Sequence, residues 1–267
     1  MNNIHPTNII ADSAKIGDNV TIGAYNVIEQ DVVIGDNVTI GNFNTIGQYT
    51  EIDDECNIFH NSSIGVVPQD KKFGGEKTKL KVGKRTVIRE FVTLNRGTSA
   101  TGATVIGDDV LIMTGVHVAH DCIIGNHCIL SNSVQIAGHV TLGDYAWIAG
   151  VSAVHQFVTI GQHAYIAGGS LVSKDIPPYI KAVRTPLSYG GVNSVGLKRR
   201  GFELQRINHI LDIYRIIFNK GLNTTQALEF IEEELPASDE RDEIVTFIRE
   251  SGRGIIKRFV KGASDED

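Results

Sequence analysis

Five of the chain's nine histidines fall between residues 117 and 155; His117, His120, His139 and His155 are the four that draw notice, with Asp121 directly after His120. An imidazole is the natural general base near neutral pH, because its ordinary pKa lies close to the working pH. Such a base can take a proton from a substrate hydroxyl as that oxygen attacks a thioester. The oxyanion then formed needs a pre-oriented donor. Gly138, 18 residues beyond His120, offers a backbone N–H with no side chain in the way. A lone outward histidine is ordinarily a solvated surface residue. Four gathered together, one of them followed by Asp, point instead to chemistry.

The elements that must position these residues are written in a six-residue period, which fits neither an α-helix nor an ordinary strand. Isoleucine or a close relative recurs at Ile10, Ile16, Ile22, Ile28, Ile34, Ile40, Ile46, Ile52, Ile58 and Ile64. It returns at Val82, Ile88 and Leu94, and again from Ile106 through Val118, Ile136 and Val154 to Val172. This is the hexapeptide repeat of a parallel β-helix. The aliphatic side chain points inward, and the residue after it, often Gly, tends to lack bulk where the chain turns. Three hexads make a triangular coil of 18 residues, as in left-handed hexapeptide helices, and coils stack at roughly 4.8 Å. Ile10, Ile28, Ile46, Ile64, Val82, Val118, Ile136, Val154 and Val172 are therefore expected to form one column. His120, His139 and His155 follow three members of that column by one to three places, so they share a face on consecutive coils, with His117 at the corner entering it. A flat prism face has no cleft of its own. A second subunit laid against it creates one, and hexapeptide prisms commonly form trimers, so the histidine face is the expected interface.

The interruptions at residues 66–79 and 98–104 read as loops extruded from a continuous prism over residues 1–185; loops this long in a regular solenoid are usually functional or disordered. After Val172 the pattern stops. Leu204, Ile207, Ile210, Leu211, Tyr214, Ile217 and Phe218 recur at helical spacing, with Gly221 as a stop. Asn223 or Thr224 can cap a second helix ending near Pro236, and Ser238 a third. Residues 186–267 thus read as a C-terminal α-helical domain covering the last coil.

With 267 residues and 42% apolar content the chain can bury a large core, and its net charge of −6 argues against nucleic acid as a main partner. Basic residues still cluster at Lys198-Arg199-Arg200 and at Arg253, Lys257, Arg258 and Lys261. Cys56, Cys122 and Cys128 have no metal-type spacing and suit free thiols in a reducing compartment. No signal peptide or membrane-length apolar stretch is legible, so a cytoplasmic protein without membrane insertion is expected.

The segments VHVAHDC (116–122), AGH (137–139), VHQF (154–157) and GLKRRGF (196–202), with Pro68-Gln69-Asp70-Lys71-Lys72 and Asp175-Ile-Pro-Pro-Tyr179, carry a further signal. In this order they resemble the UDP-N-acetylglucosamine O-acyltransferases of lipid A biosynthesis, over nearly the whole chain. The resemblance implies a mostly β fold, a homotrimer of left-handed β-helices, and transfer of a 3-hydroxyacyl group from acyl carrier protein to the 3-hydroxyl of UDP-N-acetylglucosamine. It implies no cofactor and no metal, the acyl group arriving on the carrier's phosphopantetheine. By motif, His120 would be the base, Asp121 its orienting carboxylate and Gly138 the oxyanion donor. His117, His139 and His155 would line the cleft. Asp70 and Lys72 would hold the sugar and diphosphate, with Gln69 near the acyl chain. Gln156, Asn193 and Arg200 would reach the nucleotide from the neighbouring subunit. Gly168 would act as an acyl-chain ruler, its open position implying a chain of about fourteen carbons or more. Because the carrier protein is acidic, docking would use Lys198, Arg199, Arg253, Lys257 and Arg258. Two departures bear on nucleotide binding: Val195 stands where the family commonly has Glu, and residues 180–192 diverge. A CoA-dependent acetyltransferase acting on a sugar or serine, and a γ-type carbonic anhydrase using zinc, are the alternative readings, and a 3-amino acceptor stays open beside the 3-hydroxyl.

Overall fold

A computed structural model describes residues 1–259 of the chain. Strands mostly two residues long stack into three sheets of 11, 9 and 8 strands, parallel except for the last pair of the first, which form the three walls of a left-handed β-helix. Each wall position repeats through coil-to-coil hydrogen bonds, as when the Thr21 N–H donates to the Val38 carbonyl at 2.9 Å and the Thr39 N–H to the Cys56 carbonyl at 2.9 Å. The inward aliphatics from Ile22 upward are buried and make one continuous core, against which Ile4, Ile10 and Ile16 of the lowest coil pack partly buried. Removing this apolar surface from water is what drives a chain with such short strands to wind at all.

The corners follow a rule that the hexads alone did not reveal. The left-handed turn residue is the third after the aliphatic, with φ of +55° at Asn19, +60° at Asp121, +62° at His139 and +63° at Phe157. The glycine directly after the aliphatic has another purpose. A Cβ on Gly17 would stand 2.8 Å from the Gly35 carbonyl, so glycine there lets successive coils approach, not turn.

The column over Ile10, Ile28, Ile46, Ile64, Val118, Ile136, Val154 and Val172 runs up the nine-stranded sheet as expected, with one correction. Leu94, not Val82, stands between Ile64 and Val118. Val82 pairs with Ile52 and Ile106 on a different wall. The two extruded segments lengthen the chain by one full coil between them, so the phase is lost after the first and regained after the second.

Above the last coil, the strand Ile180–Val183 pairs parallel with Tyr165–Ile166 and antiparallel with Ser188–Val192. That second strand falls within residues 186–267, ahead of the first helix. Four helices follow: α1 (Ser194–Arg199), α2 (Leu204–Asn219), α3 (Thr224–Glu234) and α4 (Asp239–Glu250). Asn223 caps α3 in a capping box with Gln226, and the Ser238 side chain accepts from the Arg241 N–H to cap α4. The helices are tied to the prism through the buried Tyr214, whose hydroxyl donates to the Pro178 carbonyl at 2.6 Å. Beyond α4 the chain returns to the prism, where buried Asp175 accepts from the Ser251 hydroxyl at 2.6 Å and pairs with Ile255. The lower end differs: Asn3–Ile4, Ile9–Ile10 and Lys15–Ile16 are the terminal strands of their sheets. The three cysteines are buried and free, and among the described residues no helix is long and apolar enough to cross a membrane.

Candidate active site

The histidine cluster gathers at one edge of the prism, where the nine-stranded wall turns into the eight-stranded one. His117 lies on the flat strand His117–Val118, while His120 and His139 occupy the corner, the reverse of the expected arrangement. His120, Gly138 and Gln156 stack one above another at successive turns, and Asp121, His139 and Phe157 stack beside them.

Asp121 is the fixed point. Its carboxylate is buried, and it accepts from the Thr98 N–H at 2.9 Å, the Thr98 hydroxyl at 2.6 Å, the Thr101 hydroxyl at 2.5 Å and His120 Nδ1 at 2.8 Å. Burial pushes its pKa up, but these hydrogen bonds outweigh burial and hold it down at about 2. An ionised carboxylate only accepts, so the His120 Nδ1 carries a proton, and in the neutral ring it is Nε2 that holds the lone pair a general base requires. His139 stands edge-on to His120 with ring centroids 5.2 Å apart and stacks on Phe157 at 4.5 Å. Its Nε2 is 3.7 Å from the Asp121 carboxylate, beyond hydrogen-bond range. His117 Nδ1 pairs with the Thr93 hydroxyl at 2.7 Å, and burial, then the neighbouring His120, lowers its pKa. His155 is exposed, its Nδ1 bonded to the Gln156 carbonyl at 3.1 Å.

Gly138 lies flush against the His120 ring. A Cβ there would meet Cε1 at 2.8 Å and Nε2 at 2.9 Å, so any side chain would displace the imidazole. At the same hexad position elsewhere, a side chain from the next coil caps the backbone N–H, as Asn126 Oδ1 does for Asp108 and Asp144 Oδ1 for Asn126. Among the described residues no acceptor lies on the Gly138 N–H. A donor without a partner next to a base with a free lone pair can stabilise an oxyanion formed between them.

The extruded loop carrying Gln69, Asp70 and Lys72 is anchored beside this edge. Asn95 Nδ2 donates to the Val67 carbonyl at 3.0 Å, and the Arg96 N–H to the Val66 carbonyl at 3.1 Å. Gln69 and Lys72 are exposed, and Asp70 Oδ1 closes a turn by accepting the Lys72 N–H at 3.0 Å.

Other expected site residues lie elsewhere on the same chain. Gln156 stands one coil above Gly138 on its own chain. Asn193 caps α1, its Oδ1 accepting from the Gly196 N–H at 3.3 Å and its Nδ2 donating to the His163 carbonyl at 3.0 Å. The Arg200 guanidinium lies 4.2 Å over the Tyr145 ring at a different corner of the prism. Val195 is 64% exposed on α1. Gly168 turns at the third corner, where a Cβ would stand 3.2 Å from the Gly150 carbonyl. Lys198, Arg199, Lys257 and Arg258 are exposed, while Arg253 donates from Nε to the Ser173 carbonyl at 3.0 Å. Lys261 lies outside the described residues.

Thr98, Thr101 and Thr93 were not singled out in sequence. The signal was available: a buried carboxylate must find donors, and the second extruded segment is rich in threonine. A metal reading has one point of support, since His120, Asp121 and His139 present ligand atoms within 4.8 Å of one another. The four donors already on Asp121 fill its acceptor sites, which fits an anchored carboxylate better than a metal ligand.

Comparison with known proteins agrees with this geometry. Residues 175–256 match the family described as "Udp N-acetylglucosamine O-acyltransferase; Domain 2", and residues 13–48 and 103–138 match bacterial transferase hexapeptide repeats. The chain is 61% identical, over 97% of its length and 99% of the relative's, to the acyl-[acyl-carrier-protein]–UDP-N-acetylglucosamine O-acyltransferase of Chlorobium phaeobacteroides. The crystal structure of a UDP-N-acetylglucosamine acyltransferase from Bacteroides fragilis superposes with a TM-score of 0.94 at 48% identity, covering 95% of this chain and all of that one. The Acinetobacter baumannii structure gives 0.92 at 39% identity, with 95% and 99% coverage. The chain thus belongs to the UDP-N-acetylglucosamine O-acyltransferase family.

Proposed function

We propose that the protein transfers a 3-hydroxyacyl group from acyl carrier protein to the 3-hydroxyl of UDP-N-acetylglucosamine, the first step of lipid A biosynthesis. The observation that carries this reading is the His120 imidazole, pinned through Nδ1 by a buried carboxylate and lying flush against a glycine whose N–H is free. His120 Nε2 takes the proton of the sugar hydroxyl as its oxygen attacks the thioester carbonyl. The Gly138 N–H receives the negative charge of the tetrahedral oxyanion. Collapse forms the ester and expels the phosphopantetheine thiolate, which recovers its proton from the imidazolium. No bound cofactor is needed for these steps.

His117, His139 and His155 line the cleft around the reacting groups, with Gln156 above Gly138. Asp70 and Lys72 hold the sugar and diphosphate, and Gln69 borders the acyl chain. Gln156, with Asn193 and Arg200 at another corner, reaches the nucleotide in the site of an adjoining protomer, which makes a homotrimer the working unit. Gly168, at the ruler position, leaves the groove open to a long acyl chain. The acidic carrier protein docks in the cytoplasm on Lys198, Arg199, Lys257 and Arg258, with Arg253 also anchoring the backbone beneath them.

An assay with UDP-N-acetylglucosamine and 3-hydroxyacyl carrier proteins of graded length tests this directly. Ester should form, with preference for chains of about fourteen carbons or more. His120→Ala should lower turnover by about 10²–10⁴-fold while the native mass stays trimeric. Undiminished turnover in that variant removes His120 as the base, and no ester at any chain length removes the function.

A further inference from the structure

The Asp121 carboxylate is held mainly by chain far from it in sequence. Two threonines from the second extruded segment supply three of its four donors: the Thr98 N–H and hydroxyl, and the Thr101 hydroxyl. The Thr98 hydroxyl is itself oriented, because its oxygen accepts the Ala100 N–H at 3.2 Å, leaving its proton for Asp121 Oδ2. Thr101 has the Ala103 carbonyl at 3.0 Å as a competing acceptor, but the carboxylate at 2.5 Å is closer and charged. A third threonine fixes the backbone, Thr104 Oγ1 accepting the Asp121 N–H at 2.8 Å. The same stretch holds the first extruded loop, through Asn95 and Arg96 on one side and the Thr78 hydroxyl on the Gly97 carbonyl at 2.5 Å on the other.

We propose that Thr98 and Thr101 are positioning residues for acyl transfer, whose hydroxyls aim and moderate the Asp121 carboxylate so that His120 presents a free Nε2 of suitable basicity. This rests on the reading of His120 as the base. Neither threonine touches substrate; both act through Asp121. Their hydroxyls draw negative charge from the carboxylate. With one removed, more of that charge falls on the imidazole, the protonated ring is favoured, and the base becomes more easily protonated. A carboxylate short of a donor also swings more freely, so the Nδ1 hydrogen bond loses direction.

The test uses the full chain in five forms: Thr98→Val, Thr101→Val, Thr98→Ser, His120→Ala and the double variant of Thr98→Val with His120→Ala. Each valine variant should lower kcat about 10-fold or more, leave the KM for UDP-N-acetylglucosamine within about twofold, and move the acid limb of the pH–rate profile upward by about half a unit or more. Thr98→Ser keeps the hydroxyl and should return both kcat and the acid limb toward the parent. Thr98→Val placed on His120→Ala should cost nothing further, because the route through the base is already closed. Unchanged kcat and pH profile in both valine variants, with His120→Ala inactive, overturns the proposal and leaves the base intact. A serine variant as slow as the valine one overturns it too, since the role would then be packing. An active His120→Ala overturns the reading beneath it.

Discussion

Rings stack at every corner of this prism, Tyr25 on Phe43 at one of them, but of the two corners that stack histidines only one is equipped for chemistry. At the first, Phe157 lies on His139, and the coil below presents Asp121 with His120 beside it. At the second, His127, Tyr145, His163 and Tyr179 form a continuous stack with centroids 4.5, 4.8 and 5.6 Å apart. Both stacks arise from the same left-handed turn residue, which aims one side chain per coil in the same direction. They differ in what faces the imidazole. His163 is buried among Tyr145, Tyr179 and Phe202, its Nδ1 has no partner, and burial, then Arg200, pushes its pKa down to about 4. His120 has instead a buried carboxylate, loaded with donors, that fixes its tautomer. Stacking is what the repeat gives every corner; a held negative charge is what turns one imidazole into a base.

The largest test of this contrast is Asp121→Asn. The amide keeps the shape but loses the charge and turns N–H groups toward hydroxyls that must donate. Turnover should fall on the order of 10²–10⁴-fold, read as kcat in the two-substrate assay. A fall of less than tenfold would mean that the carboxylate is merely structural. Gly138→Ala comes next. Its methyl would sit inside contact distance of the His120 ring. Misplacing the ring should cost about 10–100-fold in kcat, and overpacking about 1–3 kcal/mol in thermal or denaturant unfolding. Retained activity would show that the ring has room to move and that its alignment with the Gly138 N–H is dispensable.

His163→Phe probes the silent corner and should leave kcat unchanged. Its effect is on stability against pH. The folded protein keeps His163 neutral down to about 4, whereas an unfolded histidine takes up a proton near 6.5. The stability His163 allows is therefore complete above 6.5 and lost as pH falls toward 4. Phenylalanine has no such titration, so the variant should hold about 1–3 kcal/mol more of its stability across that window. Parallel stability–pH curves for parent and variant would mean that His163 protonates freely when folded.

The sequence makes the prism legible because each hexad declares its inward residue locally, and the α3 and α4 caps at Asn223 and Ser238 are equally local. Val82 is misplaced because register across an extruded loop depends on where the chain resumes pairing, which no six-residue pattern encodes. The site divides along the same line. His120, Asp121 and Gly138 are legible from their 18-residue spacing, while Thr98 and Thr101 meet Asp121 only once the second excursion has folded back. The division between flat wall and corner at His117 is likewise a property of the turn geometry.

Among the described residues no helix or hairpin lies beneath the lowest coil, whereas the upper end has both. An uncovered sheet margin normally invites foreign strands to add on, and proteins pay attention to that hazard with charges, bulges or lids. Here the margin is cut by a bend after every couple of residues, so an incoming straight segment could match only a pair of peptide groups before the path turns away. The winding itself therefore protects the foot of the solenoid from runaway assembly.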